Sequence, residues 1–192
     1  MLLGDLIISK KKYFYQVSIL IVSYYICYGD IVNSSVRVQN RWKEGVCLQS
    51  HVASCAPAAC STLLAAHGID VTEKEMVQLC RTTQGGTKQL WALRALAQCG
   101  AQKGLDLYYN KLSLDDLRTL SKPVLVNMSL KDEDADIRYH RDWGWNEGEI
   151  HSVLVYGVTG DRLLVADPRI GRELWSVESL DFLWDGWAVY LK

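Results

Sequence analysis

The chain has 192 residues, 49% hydrophobic and 22% charged, which excludes a disordered chain. One domain of ordinary size plus roughly 40 further residues fit this length. Lysine plus arginine (21) nearly balance aspartate plus glutamate (22) for a net charge of −1, so nothing favours nucleic-acid binding, which needs clustered positive charge. No internal repeat, low-complexity tract, GxxxxGK[ST] or GxGxxG loop is present, so neither a linker protein nor a nucleotide-using one is supported.

At the amino end, Lys10, Lys11 and Lys12 precede Tyr13–Tyr28, an uncharged stretch centred on Val17, Ile19, Leu20, Ile21 and Val22. As a helix it would span ~24 Å, short of the ~20 residues that usually cross a bilayer. Basic residues followed by an apolar run fit a signal anchor or an uncleaved signal, and a buried core helix is the alternative. Residues 1–30 are therefore expected to be signal-like and to give a possible membrane attachment. The lysines would stay in the cytoplasm, leaving the rest of the chain membrane-anchored or exported, outside it. Residues 31–44 are expected to be a linker or an early edge strand, and residues 45–192 the folded domain.

Cys55 to His67 is apolar and alanine-rich, with Pro57 in its first turn and Gly68 just past its end, so it reads as a helix. Thr72-Glu-Lys-Glu75 has capping-box spacing and should open a second helix that ends near Arg81. Thr87 should open a third, its Leu90, Leu93, Ala97 face running to Gly100. Ser113 to Asp116 caps a short one through Leu120. The period then changes. Pro123–Met128, His151–Val158, Arg162–Ala166, Arg172–Trp175 and Gly186–Leu191 read as strands, with a turn at Thr159-Gly-Asp161 and a short helix capped by Ser176. Helices first and antiparallel strands afterwards indicate an α+β domain whose two halves pack together. Between the first two strands an acidic insertion, Lys131–Glu149, carries seven carboxylates, His140 and two tryptophans. It reads as a solvated loop or, more pointedly, a lid over a cleft.

The six cysteines at 27, 47, 55, 60, 80 and 99 make neither a dense disulfide framework nor a CxxC pair. Cys47, His51, Cys55 and Cys60 would suit zinc if the first three shared one helix face. Pro57 and the Gln-Ser-His-Val run argue against a continuous helix there, so neither a metal nor a cofactor is expected. Cys55 instead sits where a thiol pKa is lowered, at a helix start with its unpaired N–H groups and dipole. Cys60, Cys80 and Cys99 read as small core residues. His151 opens an apolar strand and Asp167 ends the next one, so a hairpin would bring the imidazole and carboxylate together. Gln49, six residues before Cys55, can offer a side-chain N–H to an oxyanion.

Gln49-Ser-His-Val-Ala-Ser-Cys55-Ala-Pro-Ala-Ala-Cys-Ser-Thr-Leu-Leu, His67-Gly-Ile, Gly86-Thr87, His151-Ser-Val-Leu-Val-Tyr-Gly and Ala166-Asp-Pro-Arg-Ile-Gly171 resemble the bacteriocin-processing (double-glycine leader) peptidases. That family belongs to the papain-like cysteine peptidases, and the resemblance covers about residues 45 to 190. It implies a bacterial enzyme of papain-like α+β fold acting on a peptide or protein substrate. Cys55 would be nucleophile, His151 general base and acid, Asp167 its orienter and Gln49 the oxyanion donor. Ala56 stands where members usually have glycine, and alanine is small enough to be tolerated. The family is best known fused to peptide-exporting transporters. No transporter helices or ATPase motif occur in these residues, so the export role is not carried over. A catalytically silent peptide-binding domain and a related acyl-transfer enzyme, amidase- or transglutaminase-like, remain the alternatives. Keeping all four residues argues against the first of these.

Overall fold

The computed structural model describes residues 40–130 and 148–192. The apolar run Tyr13–Tyr28 and positions 131–147 of the acidic insertion, with the lid expected there, lie outside the described residues. Among these residues no helix is long and apolar enough to cross a membrane.

Helix punctuation behaves as its chemistry requires. Helix α1 (Cys55–Ala66) carries Pro57 where a backbone N–H would lack a partner anyway. It ends with Gly68 N–H donating to Ala65 O and Ile69 N–H to Leu64 O, each at 3.0 Å. Gly68 adopts φ +71°, the left-handed turn that glycine reaches without a Cβ clash. Helix α2 (Glu73–Leu79) has a reciprocal box, with Glu75 N–H donating to Thr72 Oγ1 at 3.2 Å and Thr72 N–H to Glu75 Oε2 at 2.8 Å. Helix α3 (Gln89–Ala101) begins two residues after Thr87.

The polar stretch before residue 45 ends in a strand. Strand β1 (Arg41–Lys43) pairs antiparallel with β2 (Val46–Leu48) through Glu44 and Gly45, both at positive φ (52° and 76°), as a two-residue hairpin turn demands. Beyond α3 come β3 (Leu107–Lys111), α4 (Leu114–Arg118), β4 (Val124–Ser129), β5 (Ile150–Thr159), β6 (Arg162–Asp167), β7 (Gly171–Ser176), α5 (Ser179–Leu183) and β8 (Trp187–Leu191). Helix α4 has the expected Ser113–Asp116 box, whereas α5 starts after Glu178 rather than at Ser176. Strand β3 is an addition to the expected set. It is half-buried over most of its length, so Leu-Tyr-Tyr-Asn-Lys shows no alternation to read.

Six strands form one antiparallel sheet in the order β3-β8-β4-β5-β6-β7. Alternation along them divides the core in two. One face sets Leu125, Leu154, Ala166, Val189 and Leu191 against Leu63, Leu64, Met76 and Leu96 of helices α1, α2 and α3. The other packs Val126, Val153, Val155, Leu163, Val165 and Ala188 against Leu117, Leu183 and Trp184. This is the α+β arrangement of a helical half on an antiparallel sheet.

Candidate active site

Cys55 is the first residue of α1, and the first turn contains no acidic side chain to quench the helix field. Ser54 does not cap the helix; its hydroxyl donates to His51 O at 2.8 Å. The amino-terminal N–H groups are thereby left to the sulfur. Burial would raise the Cys55 pKa, but it is brought below the ordinary 9.0 by the hydrogen bond and charge of His151 and by the N–H groups of Ser152 and Ala56.

His151, 2% exposed, lies near the start of β5, and its Nε2 is 2.8 Å from Oδ1 of Asp167, the last residue of β6. The Leu154–Ala166 pair sets the register, so His151 and Asp167 face each other diagonally across the hairpin. Asp167 Oδ1 also accepts the Arg169 N–H at 2.7 Å, which fixes the carboxylate in place. Burial would lower the His151 pKa, but the Asp167 hydrogen bond, the Cys55 contact and both negative charges raise it to about 9. With Nε2 committed to Asp167, Nδ1 is left for the thiol. Opposite shifts on touching groups favour a thiolate–imidazolium pair.

Gln49 occupies the segment that leads from β2 to Cys55. Its backbone N–H donates to Pro168 O at 2.8 Å, tying this segment to the turn that carries Asp167. Its Nε2 donates to His51 O at 2.9 Å and reaches Val52 O only at 3.5 Å, while Oε1 is buried without a partner. Cys55, His151 and Asp167 therefore converge, and Gln49 lies on the segment leading into Cys55 with its amide bonded to His51 O.

The thiol opens into a cavity of about 540 Å³. Val52, Ala53 and Ala56 form one side, Gly85, Gly86 and Leu93 another, and Asn127, Glu149 and Ser152 the third. Ser152 Oγ donates to Asn127 Oδ1 at 2.8 Å. Asn127, Glu149 and Ser152 were not anticipated from sequence. Asn127 had a signal, as the one polar residue inside Val-Leu-Val-Asn-Met. Ser152 acts on the sulfur through its backbone, which leaves no signature in residue type.

The zinc grouping does not assemble as a helix face, because Cys47 lies in β2 and α1 begins only at Cys55. Among the described residues no three His, Cys, Asp or Glu side chains converge as metal ligands. Burial and the neighbouring Glu73 charge push the Cys47 thiol up to about 12. Cys60 is raised by its hydrogen bond with Cys80 and then by burial, and Cys99 chiefly by burial.

Fold and site together define a papain-like domain of the cysteine-peptidase type. The family model for Peptidase C39 matches residues 43–192, and the chain belongs to that family. Its fold is similar to a double glycine motif protease from an AMS/PCAT transporter in complex with the leader peptide. That match has TM-score 0.59 and 18% identity, covering 81% of this chain and 94% of that one. The peptidase domain of Streptococcus ComA, a bi-functional ABC transporter involved in quorum sensing, is comparable, at TM-score 0.58 and 21% identity over 76% and 96% of the two chains. In sequence the chain is 28% identical over 129 residues to an uncharacterised protein of Methanothermobacter thermautotrophicus, covering 67% of this chain and 75% of that protein.

Proposed function

We propose that the protein cleaves peptide bonds with Cys55 as nucleophile, His151 as general base and acid, and Asp167 as the group that orients the imidazole. The observation that carries this reading is the 2.8 Å His151–Asp167 contact, on a ring that also meets a thiol at a helix start. In the proposed reaction the thiolate adds to the scissile carbonyl carbon. His151 then gives its proton to the departing amine, leaving an acyl group on Cys55. Water, deprotonated by His151, hydrolyses that thioester and restores the pair. Gln49 would stabilise the tetrahedral oxyanion beside the Cys55 N–H. One Nε2 hydrogen is spent on His51 O at 2.9 Å, and the 3.5 Å contact to Val52 O is too long to occupy the second.

A relative of the same fold is a double glycine motif protease that holds a leader peptide. On that likeness the proposed substrate is a peptide with Gly-Gly before the cleaved bond. Attachment of the domain outside the cytoplasm belongs to the same proposal, and it is supported only by Lys10–Lys12 and the apolar run after them.

The test is to incubate the purified protein with a peptide library that includes Gly-Gly sequences, with and without an amine acceptor, alongside Cys55→Ala. Hydrolysis after a defined site, lost in Cys55→Ala, supports the proposal. Dominant amine adducts point to acyl transfer, and binding without turnover to a silent docking domain.

A further inference from the structure

Glu73 is a carboxylate that the proposed reaction does not use, and it is fully buried. Burying a carboxylate is unfavourable unless its oxygens are matched with donors. Helix α2 does not need it for capping, since Thr72 and Glu75 form the box. Both of its oxygens go to one residue 23 positions earlier in the chain. Ser50 N–H donates to Oε1 at 2.9 Å and Ser50 Oγ–H donates to Oε2 at 2.5 Å.

Ser50 follows Gln49 directly, and Gln49 N–H is fastened on its other side to Pro168 O. The remainder of the segment is closed by local bonds, His51 N–H to Ser54 Oγ at 3.1 Å and Ala53 N–H to His51 Nδ1 at 3.1 Å. The backbone at Gln49 is thus clamped between the Asp167 turn and the buried Glu73 carboxylate. Resting on the proposed peptidase function, we infer that Glu73 is a positioning residue for the oxyanion side of the site: it holds the Gln49–Ser50 segment so that the Gln49 amide can meet the substrate carbonyl. A carboxylate suits this role because it accepts from the N–H and the O–H at once. A glutamine there could still accept from the Ser50 N–H, but its N–H₂ would force the Ser50 hydroxyl to turn and accept, replacing the charge-assisted bond with a weaker neutral one.

The experiment is a double-mutant cycle on the full chain, read with a fluorogenic Gly-Gly peptide and with iodoacetamide. Glu73→Gln should lower kcat about tenfold, as a displaced donor does, with KM and the Cys55 alkylation rate unchanged. In a Gln49→Ala background the same substitution should cost almost nothing, because the donor it positions is gone. Unchanged kcat in folded Glu73→Gln overturns the inference, and so does an equal loss in both backgrounds. A slower alkylation overturns it too, since Glu73 would then act on the thiolate. Should Glu73→Gln not fold, Ser50→Ala, which removes one of the two bonds from the half-exposed side, decides instead. A kcat loss of about threefold that vanishes without Gln49 supports the role, and full kcat refutes it. A wild-type protein that cleaves nothing, or a Gln49→Ala protein with full kcat, overturns the site reading itself. Failure confined to Glu73 and Ser50 leaves that reading standing.

Discussion

His151 Nε2 and Asp167 Oδ1 meet at 2.8 Å although the two residues are sixteen positions apart in the chain. The two-strand hairpin between them supplies the geometry, and Arg169 N–H keeps the carboxylate from rotating. Asp167→Asn keeps an oxygen that Arg169 N–H can hold against the ring but removes the negative charge that supports the imidazolium. Turnover should fall while the protein stays folded, and Asp167→Ala, which leaves the ring without an acceptor, should cost more. The His151 pKa, read by NMR, should drop from its value of about 9.

A bell-shaped pH profile is expected from the two opposite shifts. The thiol is lowered from 9.0, so the active ion pair forms as pH rises through a value below the ordinary thiol range. The imidazolium persists until about 9, above which it loses the proton the leaving amine needs. The plot of kcat/KM against pH should therefore rise early and fall near about 9, with both apparent values belonging to the pair. A single rise centred at the ordinary thiol value is inconsistent with the pairing.

Thiol reactivity should single out Cys55. Cys47 is held up at about 12, and Cys60 and Cys99 are raised and buried. Limiting iodoacetamide at mildly acidic pH, followed by peptide mass mapping, should label Cys55 ahead of all three. Equal labelling would show that no tuned nucleophile exists.

Much of this arrangement is legible in the residues alone wherever one local signal suffices. The Thr72–Glu75 and Ser113–Asp116 boxes form as their spacing implies, and Gly68 closes α1. The Cys55, His151 and Asp167 set can be read because a helix start and two strand ends each have a local signature. The features that escape such reading depend on distant partners. Strand β3 exists because β8 pairs with it, residue for residue from Leu107–Leu191 to Lys111–Trp187. The Ser50–Glu73 clamp joins a loop to a helix start, and no local pattern marks the two as partners. One hydrogen of the Gln49 amide is likewise taken by its own loop, at His51 O, which its spacing from Cys55 does not foretell.

Removal of the donor can be told apart from removal of the base. Gln49→Ala should lower kcat by ~10²–10³, with little change in KM or in Cys55 alkylation. His151→Ala should lower both turnover and alkylation, because it takes away the partner of the thiolate. Near-normal kcat in a folded Gln49→Ala protein removes this residue from the site.

Deleting residues 1–30 should yield a soluble, folded domain that keeps activity. Among the described residues both core clusters draw on residues from Val46 onward, and the first described strand begins at Arg41. Circular dichroism, gel filtration and turnover of the truncated protein check this. Aggregation with loss of activity would make Tyr13–Tyr28 a core element instead of a tether.

A Cys55 thiolate that takes up an acyl group with help from His151 and Asp167 is tested most directly by rapid-quench mass spectrometry with a Gly-Gly peptide substrate. A transient mass increase equal to the acyl fragment should appear, mapped to the peptide containing Cys55 and absent from Cys55→Ala. Cleavage without any such adduct, or an adduct that persists in Cys55→Ala, would contradict covalent catalysis by this thiol.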